Sequence, residues 1–128
     1  MNGQKKLWKT SYPVPGNFLL VTAGPAEFGR EAVDGKSVYF TLRNEGEGIW
    51  QQPLPDGTPR QVVDRLYLRN LFAPSKEGLY YIARSGFAFG LFMVGHTTGK
   101  TRQVTAFSNP LFWGLDLSPD ERTLFYSQ

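Results

Sequence analysis

The chain contains no cysteine. A disulfide framework, a cysteine nucleophile and a thiolate metal site are therefore excluded. Histidine occurs once, as His96 in Gly95-His96-Thr97-Thr98-Gly99. A protein metal site needs several converging ligands, and a Ser-His-Asp arrangement would have to use that same residue. No Gly-x-Ser-x-Gly elbow is present. Phosphate-cradling loops are missing too, because Gly46-Glu47-Gly48 is glycine-rich but acidic. Neither a metal nor another cofactor is expected. The longest apolar run, Phe87 to Val94, falls far short of the roughly 20 residues of a membrane helix. The N-terminus, Met1-Asn2-Gly3-Gln4-Lys5-Lys6-Leu7-Trp8, lacks the apolar core of a signal peptide. A soluble chain is expected, cytoplasmic as it stands and periplasmic only if a leader precedes it. Charge of one sign is scarce: 14 Lys and Arg against 11 Asp and Glu give a net +3. The only local basic cluster is Lys5-Lys6 with Lys9, so neither nucleic acid nor a membrane surface is expected as a partner. Helical patterning is almost absent, since 14 glycines and nine prolines interrupt most windows of the sequence.

What is present is a repeat. Trp50, preceded by Ile49, stands 42 residues after Trp8 and 42 before Phe92. Arg60-Gln61-Val62 recurs as Arg102-Gln103-Val104, Gly57 maps onto Gly99, and Leu20 onto Val62 and Val104. A fixed period of this size marks a repeat architecture. In 128 residues, 41% hydrophobic and 15% aromatic, there is material for one packed domain and no case for disorder. Residues 1–6 read as a flexible lead-in and 7–128 as the domain.

Runs of β-formers separated by turn residues predict twelve strands. Leu7 to about Pro13 and Asn17–Thr22 flank Pro15-Gly16. Phe28–Val33 and Ser37–Arg43 flank Asp34-Gly35. The polar loop Asn44–Gly48 leads to a hairpin over Ile49–Asp64. Leu68–Pro74 and Leu79–Ala83 flank Glu77-Gly78, and a second hairpin covers Phe89–Thr105. Trp113–Leu117 and Thr123–Tyr126 close the series. With the strands of one unit named a to d, the order is cd-abcd-abcd-ab. Four short antiparallel strands in every forty-odd residues point to an all-β fold, a β-propeller with three four-stranded blade equivalents. One blade cannot cover both its faces alone, so the aromatics, Trp8, Trp50 and Phe92 among them, are expected in the core between blades.

Ser118-Pro119-Asp120-Glu121-Arg122-Thr123-Leu124-Phe125-Tyr126 resembles the Ser-Pro-Asp-Gly-Lys motif and following strand of TolB-like propellers. Leu91 to Val104 resembles the third and fourth strands of such a blade. The resemblance covers about residues 7–128 and implies the propeller fold rather than one activity. The likeness extends to C-terminal propeller regions of acidobacterial proteins, some of which carry an N-terminal winged-helix regulator; no winged helix is present here. Glu121 replaces the motif's Gly, Pro74-Ser75-Lys76 replaces Ser-Pro-Asp in the middle unit, and the first unit keeps only Asp34-Gly35-Lys36.

Propellers typically have four to eight blades, so three leave open sheet edges. The cd…ab phase lets the terminal half-blade of one chain pair with the initial half-blade of another. The expectation is a six-bladed ring closed as a homodimer; its rival is a fragment of a longer chain. Glu27, Arg30, Glu31, Arg69, Asn70, Asn109 and Asp116 are placed near the channel axis or its mouth, as candidates for ligand binding. No catalytic residue is assigned. The expected function is a non-catalytic scaffold or binding module for a protein or small ligand at the channel or rim. The alternatives are an accessory or sensor fragment of a larger enzyme or regulator, and a hydrolase or lyase with its site in the channel.

Overall fold

The computed structural model describes residues 5–11, 13–14, 16–42 and 48–128. Residues 1–4 of the lead-in, Tyr12 of the first expected strand, Pro15 of the first turn and residues 43–47 of the strand end and polar loop lie outside the described residues.

Among the described residues there are twelve strands and no helix. β1 (Trp8–Lys9) pairs with β2 (Leu19–Leu20) in a two-stranded sheet. β3 (Glu27–Glu31), β4 (Ser37–Thr41), β5 (Ile49–Pro53) and β6 (Arg60–Val63) form the first four-stranded sheet. β7 (Phe72–Pro74), β8 (Gly78–Ser85), β9 (Ala88–Gly95) and β10 (Thr101–Phe107) form the second. β11 (Leu115–Leu117) and β12 (Leu124–Tyr126) form a terminal pair. Every pairing is antiparallel and joins strands consecutive in sequence.

The central strands explain the architecture. All five residues of β4, Ser-Val-Tyr-Phe-Thr, are buried. A strand buried on both faces carries no polar alternation, and β-branched and aromatic side chains suit it. Its entry turn is set by Asp34-Gly35: Lys36 N donates to Asp34 Oδ1 at 2.9 Å and Gly35 N to the Ala32 carbonyl at 2.9 Å, with Gly35 at φ 70. Glycine adopts that left-handed conformation without a Cβ penalty. Gly48, at φ 74, opens β5; an added Cβ there would run into the Val63 backbone.

Three apolar cores lie between consecutive sheets. Ala26, Val38 and Phe40 pack with Leu7, Val21 and Trp50 between β1–β2 and the first four-stranded sheet. Tyr39, Ile49 and Val63 meet Phe72, Leu79, Tyr81 and Val94 between the two four-stranded sheets. Leu71, Ile82 and Leu91 meet Leu111 and Leu115 between the second sheet and β11–β12. Each four-stranded sheet therefore buries both faces against its neighbours. The two-stranded sheets have a neighbour on one side only, and this shows on their surfaces. Among the described residues, nine of the thirteen exposed large apolar side chains flank or belong to these two sheets: Trp8, Val14, Phe18, Leu19 and Leu20 at one end, Phe112, Trp113, Phe125 and Tyr126 at the other.

Trp8 thus departs from the core position expected of it, at 60% exposure, whereas Trp50 and Phe92 are half-buried. The reason is positional: β4 flanks Trp50 and β8 flanks Phe92, but among the described residues no strand lies on the far side of β1. The strand expected from Leu68 begins only at Phe72. Leu71 N turns back to the Leu68 carbonyl at 3.0 Å, and Leu68–Leu71 form a turn. Lys5, read as part of the lead-in, is tied to the domain by a bond from Ala26 N to its carbonyl at 2.8 Å. Among the described residues, no helix is long and apolar enough to cross a membrane.

Candidate functional site

The first strands of successive units, β3, β7 and β11, lie side by side. Their register makes Arg30, Ala73 and Asp116 equivalent: Arg30 faces Tyr39, Ala73 faces Tyr80 and Asp116 faces Phe125. Arg30 Nη1 reaches Asp116 Oδ1 at 3.3 Å, an ion pair spanning two repeats. Both partners are open to solvent, so water screens the pair and it adds little to stability.

The second charged group is deeper. The Glu27 side chain is 6% exposed. Arg69 Nη1 donates to its Oε2 at 2.7 Å, and Lys5 Nζ lies 3.0 Å from Oε1. The Lys5 contact is an ion pair without hydrogen-bond alignment, which leaves Oε1 with no directed donor. A buried carboxylate stays ionised only with such compensation. The backbone beside it is strained. The β3–β4 register shifts between Glu27 and Arg30, and Phe28 within this bulge holds φ 44. A bulky residue rarely adopts that conformation, and bulges re-aim neighbouring side chains. Phe28 is half in solvent, with the Arg69 guanidinium 6.0 Å from its ring centroid.

The structure therefore brings Glu27 together with Arg69, and Arg30 with Asp116. Glu31 does not join them; it lines a separate cleft of about 170 Å³ with Leu7, Trp8, Val21 and Leu54, between β1–β2 and the first four-stranded sheet. Asn70 is half-buried and Asn109 exposed. Among the described residues, no group of three or more His, Cys, Asp or Glu side chains is placed to hold a metal ion.

A second site joins residues far apart in sequence. Between the two four-stranded sheets opens a cleft of about 330 Å³. His96, in the exposed β9–β10 turn, stacks on Tyr39 of β4 with ring centroids 6.1 Å apart. Its Nε2 lies 3.2 Å from the Ser75 carbonyl and its Nδ1 2.7 Å from the Tyr39 hydroxyl. A carbonyl only accepts, so in the neutral ring Nε2 donates to Ser75 and Nδ1 accepts from Tyr39. Upstream, Gln51 Nε2 donates to Ser37 Oγ at 2.9 Å and to Tyr39 Oη at 3.4 Å. Gln51 Oε1 in turn accepts from Arg60 Nη2 at 3.1 Å. The donors run in one direction, Arg60 to Gln51 to Tyr39 to His96 to Ser75. Burial, with the negative charge of Asp34 second, pushes the Tyr39 hydroxyl up to about 12. No sequence motif around His96 points to this contact. Its partner lies 57 residues away in another sheet, and the signal available was the turn's alignment with Pro55-Asp56-Gly57 one repeat earlier.

No family model, no curated protein and no solved structure matches this chain.

Proposed function

We propose that the chain is half of a six-bladed β-propeller, closed by a second copy, and that the ring is a non-catalytic scaffold that binds a protein or small ligand at its channel or rim. The observation that carries this reading is the concentration of exposed apolar side chains on the two half-sheets. Such surface, beside unpaired strand edges, is a site for association. The edges are complementary in kind. β1 is a third strand lacking its second, and β12 is a second strand lacking its third. The alternation of sheets and cores supports the propeller arrangement, and the paired state of the charges on β3 and β11 supports a scaffold at the axis.

The register supports a specific mode of closure. In the first sheet Phe40 faces Trp50, Tyr39 faces Gln51 and Val38 faces Gln52. In the second, Tyr81 faces Phe92, Tyr80 faces Met93 and Leu79 faces Val94. Pro74 faces Leu79 as Leu117 faces Leu124, so Leu124, Phe125 and Tyr126 take the places of Leu79, Tyr80 and Tyr81. Carried by the period to β1, the same register sets Tyr126 opposite the second copy's Trp8, Phe125 opposite its Lys9 and Leu124 opposite its Thr10.

A native cysteine-free background makes this testable. Lys9→Cys with Phe125→Cys is expected to give a covalent dimer on oxidation. Ser11→Cys with Phe125→Cys, two residues out of register, is not, because its Cα atoms stand beyond the roughly 7 Å a disulfide can span. Light scattering behind a sizing column is expected to give twice 14.4 kDa. A folded species at 14.4 kDa would reject closure by a second copy and favour further blades of a longer chain as the cover of these edges. A dimer that cross-links in the wrong pair would reject only the register.

A further inference from the structure

We propose that the cleft between the two four-stranded sheets binds a small organic monocarboxylate, with the carboxylate on Arg60 and the organic body beside Val62. This inference does not depend on ring closure, because both sheets belong to one chain.

Arg60 is the only charged residue lining the cleft among the described residues. Gln51 takes one hydrogen bond from Nη2 and so holds the guanidinium in place. Arg60 forms no ion pair among the described residues, and its other N–H groups have no protein acceptor there. A guanidinium held at one nitrogen, with donors to spare, is suited to a carboxylate, which it binds through two parallel N–H donors. The walls add the polar groups Tyr39, His96 and Thr98 and the half-buried Val62, backed by the buried Leu79 and Val94. The volume of about 330 Å³ falls at the small end of the roughly 300–1,000 Å³ typical of ligand sites. With one cation lining the cleft among the described residues, a single carboxylate is the matching charge.

The repeat supplies an internal comparison. Arg60-Gln61-Val62 and Arg102-Gln103-Val104 occupy the same strand of successive sheets. Arg60 faces Gln51, but Arg102 faces Met93. The fold therefore accepts an arginine here without a glutamine to orient it. The Gln51–Tyr39–His96 chain is particular to the first cleft.

The probe is benzoate, with benzamide as its neutral isostere, titrated against the ¹⁵N-labelled full chain. Benzoate is expected to give saturable amide shifts at Gln51, Arg60, Thr97 and Thr98, and benzamide none at equal concentration. Exposed Arg60→Gln is expected to leave the spectrum folded and weaken benzoate by about tenfold or more, the loss of one charge-assisted pair. Arg102→Gln is expected to bind as the parent does. Absence of benzoate shifts in the cleft, equal shifts with benzamide, unchanged binding by Arg60→Gln, or equal weakening by Arg102→Gln would each overturn the assignment.

Discussion

Glu121 holds a left-handed backbone, φ 58, in the turn between β11 and β12. A residue with a Cβ has a penalty of about 1–2 kcal/mol there. The side chain gives something back: its carboxylate accepts from Lys76 N at 3.1 and 3.2 Å, tying the terminal half-sheet to the second four-stranded sheet. Glu121→Ala keeps the strain and loses the tie, so it is expected to destabilise by about 1–2 kcal/mol. Glu121→Gly also loses the tie but relieves the backbone, and is expected to be more stable than the alanine variant by about 1 kcal/mol. Urea denaturation of the two variants checks the order. Tyr39 gives a second prediction. Its folded-state pKa, about 12 against an ordinary 10.0, is raised. The unfolded chain therefore ionises first, and the contribution to stability is complete below pH 10 and lost as pH rises towards 12. The phenolate absorbance of the folded protein is expected to contain one late-titrating group that is missing from Tyr39→Phe. Departure of Glu121 from the glycine of the Ser-Pro-Asp-Gly-Lys motif was visible in the sequence. The bond it makes to Lys76 was not, because that contact joins positions 45 apart.

Strands and turns were legible because their signals are local. Asp34-Gly35 announces its turn, and Ser37–Thr41 has the composition of a strand covered on both faces. The Leu68–Leu71 turn was hidden, since Asn70 is the only turn-former in Leu-Arg-Asn-Leu and the bond from Tyr67 N to the Ile82 carbonyl that anchors it is long-range. The Glu27–Arg69 pair was within reach of the period. Its members stand 42 residues apart, at like places in successive repeats, and so become neighbours when sheets stack. Removing Arg69 strands most of the compensation of a buried carboxylate. Arg69→Gln is expected to cost about 2–3 kcal/mol, and Glu27→Gln with Arg69→Gln together less than the single change, since neutralising both ends leaves no uncompensated charge. A double-mutant cycle in urea gives both numbers. At Gly48 the constraint is backbone on backbone: Gly48→Ala is expected to cost at least about 2 kcal/mol, because neither the left-handed φ nor the Val63 carbonyl can yield cheaply.

At the scale of the molecule, the balance between buried and exposed apolar groups differs between the middle and the ends. Ile49, Phe72 and Ile82 are fully enclosed, whereas Trp8, Trp113 and Phe125 are not. If a second copy covers the ends, the melting temperature rises with protein concentration, as it does for any assembly whose subunits gain surface on binding. Trp8→Ser is expected to abolish that dependence while leaving a folded chain, and differential scanning across a hundredfold dilution measures it. The placement of the ends was legible as a phase of the strand pattern. Which side chains they leave uncovered required the three cores to be located.

The two unlike edges have a geometric consequence. β12 of one copy seeking β1 of another is a head-to-tail contact, and such contacts close only when the rotation between successive copies divides the circle. If two copies close the ring as proposed, three blade equivalents turn the chain through half a revolution. A substitution that alters the wedge between sheets, such as enlarging Ala73 in the packed core beside β11, changes that angle slightly at every junction. The same edge chemistry would then assemble an open helix instead of a pair, and filament growth would report an error of curvature, with each subunit still correctly folded.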